Sequence, residues 1–143
     1  MTDDALARAL EQMGATTEAM LSGDPGPMID SWAVSDDITL FGAWGPIEKG
    51  HKAVTDTMRW VGSRFTGADA VSVEHSVIAS SGDLAYTVGF ERSRVGVEGG
   101  PSRDMVIRVT HIYRRIDGDW KLMHRHADFP PPDQRNTSVA RDD

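Results

Sequence analysis

The sequence predicts an α+β domain in which helices gather on one face of a curved, mainly antiparallel sheet. Three observations carry this prediction. Apolar residues recur at three- and four-residue steps in the first half of the chain, the period changes to two near residue 70, and turn signals divide the second half into hairpins. Helices followed by a meandering sheet bury their apolar stripes together on one sheet face. A curved sheet closed in this way leaves a blind cavity, the usual place for a small molecule.

Residues 3 to 21 carry Leu6, Leu10, Met13, Thr17, Met20 and Leu21 on one helical face, with Thr2 or Asp3 as the cap. The breakers in Ser22-Gly23-Asp24-Pro25-Gly26-Pro27 end that helix. Met28, Ile29, Trp32 and Ala33 predict a short second helix beginning on Pro27. Ile38 to Phe41 reads as a short strand, and Gly42 to Pro46 as a turn-rich loop. A third helix spans about 51 to 65, with Val54, Met58, Val61 and Phe65 on one face and Trp60 beside it. Four strands follow. Val71, Val73, His75 and Val77 mark the first, and Leu84, Tyr86, Val88 and Phe90 give the second its apolar face. Met105, Ile107, Val109, His111 and Tyr113 mark the third; Asp117-Gly118 is a hairpin turn signal, and Trp120 to Asp128 is the last strand. Residues 1–129 are expected to form one domain, and Pro130-Pro131-Pro132 opens a tail, 130–143, expected to be disordered.

Composition narrows the function. At 143 residues the chain is long enough for one core without staples. It has no cysteine, hence no disulfide and no thiolate nucleophile. A net charge of −7 argues against nucleic acid, which is held by Lys and Arg on phosphates. Arg108 to Arg115 is basic, but Thr, His and apolar residues interleave it at strand spacing. No segment has the length of a signal peptide or a membrane span, so a cytoplasmic protein without membrane contact is expected. Phosphate-loop, dinucleotide and nucleophile-elbow motifs are missing, and no cofactor is expected.

Candidate chemistry lies on the strands. His75 and His111 fall in register with core valines and isoleucines. Each is either a general acid or base or a core histidine hydrogen-bonded across the sheet. His124 and His126, with Asp128, share one face of the last strand. His-x-His is metal-ligand spacing, but no further ligand motif accompanies it, so no metal is expected. These residues are read as a polar network with Glu91, Arg108 and Thr110 on the face away from the helices. Arg125 has the opposite parity, with Met123 and Ala127, and points into the cavity. There it either anchors a ligand oxygen or pairs with a protein carboxylate at the rim. Trp120 and Leu122 are apolar on the histidine parity, which leaves the opposite facing open, and a bulge would exchange the two faces. Trp32, Trp44, Trp60, Tyr86 and Phe90 either line the cavity or simply pack. Trp44 stands out because it sits among glycines in a loop.

The segments WAVSDDITLFGAWGPIEKG, residues 32–50, and THIYRRIDGDWKLMHRHAD, residues 110–128, together with the element order, carry a resemblance. The chain resembles the SnoaL-like branch of the nuclear transport factor 2-like superfamily over about residues 3 to 129. That superfamily includes ketosteroid isomerases, polyketide cyclases, scytalone dehydratase and the association domain of calmodulin-dependent kinase II. The resemblance implies a cone-shaped, cystatin-like fold with three N-terminal helices on the sheet, and a homodimer through the sheet face. In the isomerases the general base is an Asp in a D-x-x-x-x-D pattern. If Asp37 matches the first Asp, the base position here is Gly42, which moves no protons. The arginine positions of the kinase domain's pocket match Val88, His111 and Ala127, so that cluster is not reproduced.

Two functions of different class follow. One is a cofactor-free isomerase, cyclase or dehydratase for a small apolar carbonyl compound. His111 or His75 would be its base, and Arg125 or Tyr86 would stabilise the oxyanion. The other is a non-catalytic ligand-binding or dimerisation module of the same fold.

Overall fold

The computed structural model describes residues 3–131. Its elements are α1 (Asp4–Leu21), α2 (Gly26–Ser31), β1 (Thr39–Phe41), β2 (Ile47–Lys49), α3 (His51–Arg64), β3 (Phe65–Ser81), β4 (Leu84–Val97), β5 (Arg103–Ile116) and β6 (Asp119–Asp128). The tail expected from residue 130 lies, beyond residue 131, outside the described residues.

Local chemistry explains the helices. Asp3 caps α1 by accepting the Leu6 N–H at 2.6 Å, which satisfies one of the free donors of the first turn. The helix then buries the predicted stripe Leu6, Leu10, Met13, Met20 and Leu21. The three helices are unequal, however: α1 has 18 residues, α3 has 14 and α2 only six. The short second helix was expected; what the resemblance implied as three helices packed on the sheet is one long N-terminal helix, α1, with α3 and a single-turn-scale α2 beside it. No helix among the described residues is long and apolar enough to cross a membrane.

The sheet has six strands in the order β2-β1-β6-β5-β4-β3. All neighbours are antiparallel except β1 and β6, which run parallel. The strand β2 was not foreseen. It is three residues long and returns on β1 through the Gly42–Pro46 turn, so Trp44 sits at a hairpin tip. The β5–β6 turn uses Asp117 at φ 52° and Gly118 at φ 86°, the pair of positive φ angles that a two-residue hairpin needs.

Two facings decide where the site lies. On β4 the helix side carries Ala85, Thr87, Glu91, Ser93 and Val95, all buried, while Leu84, Tyr86 and Val88 are exposed on the other side. The sequence reading had these faces reversed. Its apolar alternation was real, but the larger residues form the outer face. On β6 a register shift opposite Ile112 and Tyr113 makes Met123 an extra residue: Leu122 pairs with Tyr113 and His124 with Ile112. The bulge resets the side-chain alternation. Trp120 and Leu122 therefore point inward before it, and Met123, Arg125 and Ala127 after it.

A second irregularity fixes Gly89. β3 shifts register between His75 and Val77, which draws its backbone over β4. A Cβ at Gly89 would collide with the Glu74 carbonyl oxygen. The same shift sends Val77 outward, paired with Val88, while His75 remains half-buried opposite Gly89 on the helix side.

Candidate functional site

Two apolar clusters fill the space between helices and sheet. One surrounds Trp32, Tyr113 and Leu122; the other surrounds Phe65, Val95 and Ile107. A cavity of about 60 Å³ lies where they meet. A water needs about 10–15 Å³, so the cavity holds several water-sized groups. Met20, Met28 and Met58 wall it from the helices, and Leu40, Met105 and Ile107 from the sheet. Trp44 and Pro46 of the β1–β2 turn close one side with Phe65 and Phe129. Methionine is flexible and adapts to the shape of a neighbour, so these walls can yield to a guest.

The only charged residues in the cavity wall, among the described residues, are Glu91 and Arg125. They form a bidentate pair: Arg125 Nη1 donates to Glu91 Oε2 at 2.7 Å and Nη2 to Oε1 at 2.9 Å. Their side chains are 5% and 12% exposed. Burial works against the charge on Arg125, but the facing carboxylate outweighs it and raises the guanidinium pKa. Arg125 stays cationic, and the pair supplies its own neutrality in a low-dielectric wall.

Behind the pair stands His111. Arg125 Nη1 donates to His111 Nε2 at 3.0 Å, and His111 Nδ1 lies 3.0 Å from the Tyr113 hydroxyl. An arginine only donates, so Nε2 must accept, and the neutral ring carries its proton on Nδ1, which donates to Tyr113. Burial first, then the charges of Arg125, His75 and His124, push the His111 pKa well below its usual value. Burial likewise raises the Tyr113 phenol. Both rings are uncharged; His111 braces the guanidinium and Tyr113 holds His111.

The predicted residues thus separate. Arg125 and Trp44 reach the cavity. His111 is buried behind Arg125 and does not line the cavity wall. His75 is half-buried on the same sheet face, also outside the wall, and burial lowers its pKa. Trp32 is core, 1% exposed, bridged to Leu122. Trp60 is half-exposed and stands edge-on to Trp44 at 6.1 Å, with the Arg64 guanidinium 3.9 Å over the Trp44 ring. Tyr86 and Phe90 belong to the outer face of β4, because the alternation there runs opposite to the expectation; they do not line the cavity. On that outer face Arg108 pairs with Asp128 at 2.6 Å and Thr39 meets His124 at 2.6 Å. Phe41 stands edge-on to both His124 and His126. Glu91, expected in that outer network, is instead inside.

Glu91 is the site residue that sequence reasoning missed. Its one usable signal was the need of an inward Arg125 for a counter-charge. The expectation named a rim carboxylate; the partner is a buried one, two strands away.

The family pattern of the SnoaL-like domain matches residues 10–132. No curated protein matches the chain in sequence. Among solved structures, a candidate dehydratase of the nuclear transport factor 2-like family from Streptomyces avermitilis superposes with a TM-score of 0.74 at 20% identity, covering 90% of this chain and 95% of its own. A ketosteroid isomerase-like protein from Erwinia carotovora atroseptica gives 0.74 at 17%, covering 92% and 100%. A nuclear transport factor 2-like protein of unknown function from Pseudomonas putida gives 0.70 at 23%, covering 94% and 90%. At these identities the structural likeness establishes the fold alone.

Proposed function

The chain belongs to the SnoaL-like domain family, and we propose that it is a cofactor-free isomerase, cyclase or dehydratase acting on a small apolar carbonyl compound at the Glu91–Arg125 pair. The observation that carries this reading is the convergence of a carboxylate and a guanidinium on one otherwise apolar cavity. Proton abstraction beside a carbonyl needs a base and a stabilised oxyanion in the same small space. Here the C–H bond breaks, its proton goes to a Glu91 oxygen, and its electron pair becomes the enolate with negative charge on the former carbonyl oxygen. Arg125 faces the charge before and after the step. The negative charge moves from one neighbour of the guanidinium to another, so the cavity keeps zero net charge. Return of the proton to another carbon isomerises the substrate. Delivery of the proton from Glu91 to a β-hydroxyl, which leaves as water while the enolate electrons form the C=C bond, dehydrates it and restores the carboxylate. The base role read from sequence for His111 or His75 passes to Glu91, Arg125 keeps the oxyanion role read for it or Tyr86, and His111 positions Arg125.

The test is α-deuteration. A panel of small cyclic ketones is incubated with the protein in deuterium oxide and followed by proton NMR. The expected result is exchange above buffer with at least one ketone, slowed by about 10²–10⁴-fold in Glu91→Gln. Ketones that bind without any exchange would overturn the catalytic reading and leave the second one, a non-catalytic ligand-binding or dimerisation module.

A separate observation favours dimerisation. The outer sheet face exposes Leu84, Tyr86, Val88 and Ile112 side by side on neighbouring strands. We read it as the contact face of a homodimer. This reading stands with either function.

A further inference from the structure

We propose that the cavity selects an uncharged ligand bearing a hydrogen-bond acceptor beside a donor, as in a primary amide or an enolisable hydroxy-carbonyl compound, and that Glu91 excludes carboxylates. The proposal rests on the pocket reading above and specifies its ligand class. It follows from counting hydrogens and lone pairs. Arg125 has five N–H donors. The two on Nη1 go to Glu91 Oε2 and His111 Nε2, and one on Nη2 goes to Glu91 Oε1. The Nε–H and the second Nη2 hydrogen have no partner among the described residues. Each Glu91 oxygen accepts one of these bonds, and a carboxylate offers about four lone-pair sites. The pair therefore presents unused donors and unused acceptors next to one another on a surface of zero net charge.

A ligand carbonyl can accept from Arg125 while a neighbouring N–H or O–H donates to Glu91. Every polar group is then paired, as a buried site requires. A ligand carboxylate meets the opposite situation. It would bring a second negative charge beside Glu91 with no second cation in the wall. Arg64, which stacks over the Trp44 ring, pairs with Glu98 at 3.3 Å and is not part of the cavity wall. Displacing Glu91 from Arg125 would leave that carboxylate buried without its partner, which is unfavourable for the same reason. His111 offers no relief, because its Nε2 already accepts from Arg125.

The experiment compares shape-matched amides and carboxylates, running from isobutyramide and isobutyrate to benzamide and benzoate. Binding to the full chain is titrated by protein NMR at pH 7.5, with the Arg125 Nε–H resonance as the local reporter. In the wild type, amides should shift that resonance and bind at least about tenfold more tightly than their carboxylates. In Glu91→Gln the wall gains a net positive charge and the preference should invert. Carboxylates binding the wild type as well as or better than amides would overturn the inference and leave the pocket reading standing. If no compound of either series reaches the Arg125 resonance, the pocket reading itself fails. The wild-type comparison decides the matter even where Glu91→Gln does not fold.

Discussion

At the residue scale, the site is defined by what an arginine cannot do. It accepts no hydrogen bond, so His111 Nε2 must accept, and this fixes the tautomer of a buried ring from geometry alone. The same contact makes protonation of His111 unfavourable, since a second N–H would face the guanidinium. The pKa values of His111, His75 and His124 are all lowered, chiefly by burial. In the unfolded chain these rings take up protons as the pH falls through 6.5, while the folded protein resists. The unfolded state then binds more protons, and stability must fall as the pH drops below that value. Each ring contributes a slope of at most about 1.4 kcal/mol per pH unit. The lowered carboxylates Asp56 and Asp128, whose ordinary value is 3.8, act below this window. Thermal melts between pH 7.5 and 5 should therefore show a steady loss of stability. His111→Gln, which keeps an acceptor for Arg125, should flatten the dependence. An unchanged slope in that variant would remove His111 from the account.

At the element scale, two irregular strands build the site. The bulge at Met123 turns Arg125 inward while leaving Leu122 in the core. Without it, the β6 alternation that buries Leu122 would put Arg125 on the outer face, away from Glu91. The register shift in β3 presses its backbone onto Gly89, the residue between Thr87 and Glu91 on the inner face of β4. Gly89→Ala must push one strand away. Such overpacking destabilises by about 1–3 kcal/mol, to be measured by urea unfolding with an unchanged slope. A neutral result would mean that the β3 backbone is not held against Gly89. Because Glu91 lies next along that face, the variant should also weaken ligand binding in the titration above.

At the scale of the whole molecule, the sheet has two apolar faces and the helices cover one. The outer face carries Tyr86 at 46% and Ile112 at 38% exposure, paired directly across β4 and β5. Stable interfaces bury roughly 800 Å² per partner around an apolar centre. The dimer reading predicts that light scattering coupled to size exclusion finds about twice the 15.6 kDa chain mass. Ile112→Glu should yield a folded monomer. A wild-type monomer at micromolar concentration would remove the sheet face as a self-contact.

The sequence by itself determined the element order apart from β2, the α1 and α3 stripes, the Asp117-Gly118 hairpin and the α+β class. These depend on periodicity and turn chemistry, which act over a few neighbouring residues. It also separated His124 and His126 from Arg125, because alternation within a short stretch is local. It did not show which side of β4 met the helices. Alternation distinguishes two faces without orienting them, and here the larger apolar residues took the outer one. That error hid Glu91, whose role exists only once β4, β5 and β6 are in register and bring it to Arg125 across an intervening strand. The bulge at Met123 was raised by the conflicting parity of Trp120 and Leu122 against Arg125, but only the register of β5 on β6 placed it, and it decides which side chains enter the cavity. The tertiary structure settled the carboxylate–guanidinium pair because that pair depends on inter-strand register, a property that no single segment carries.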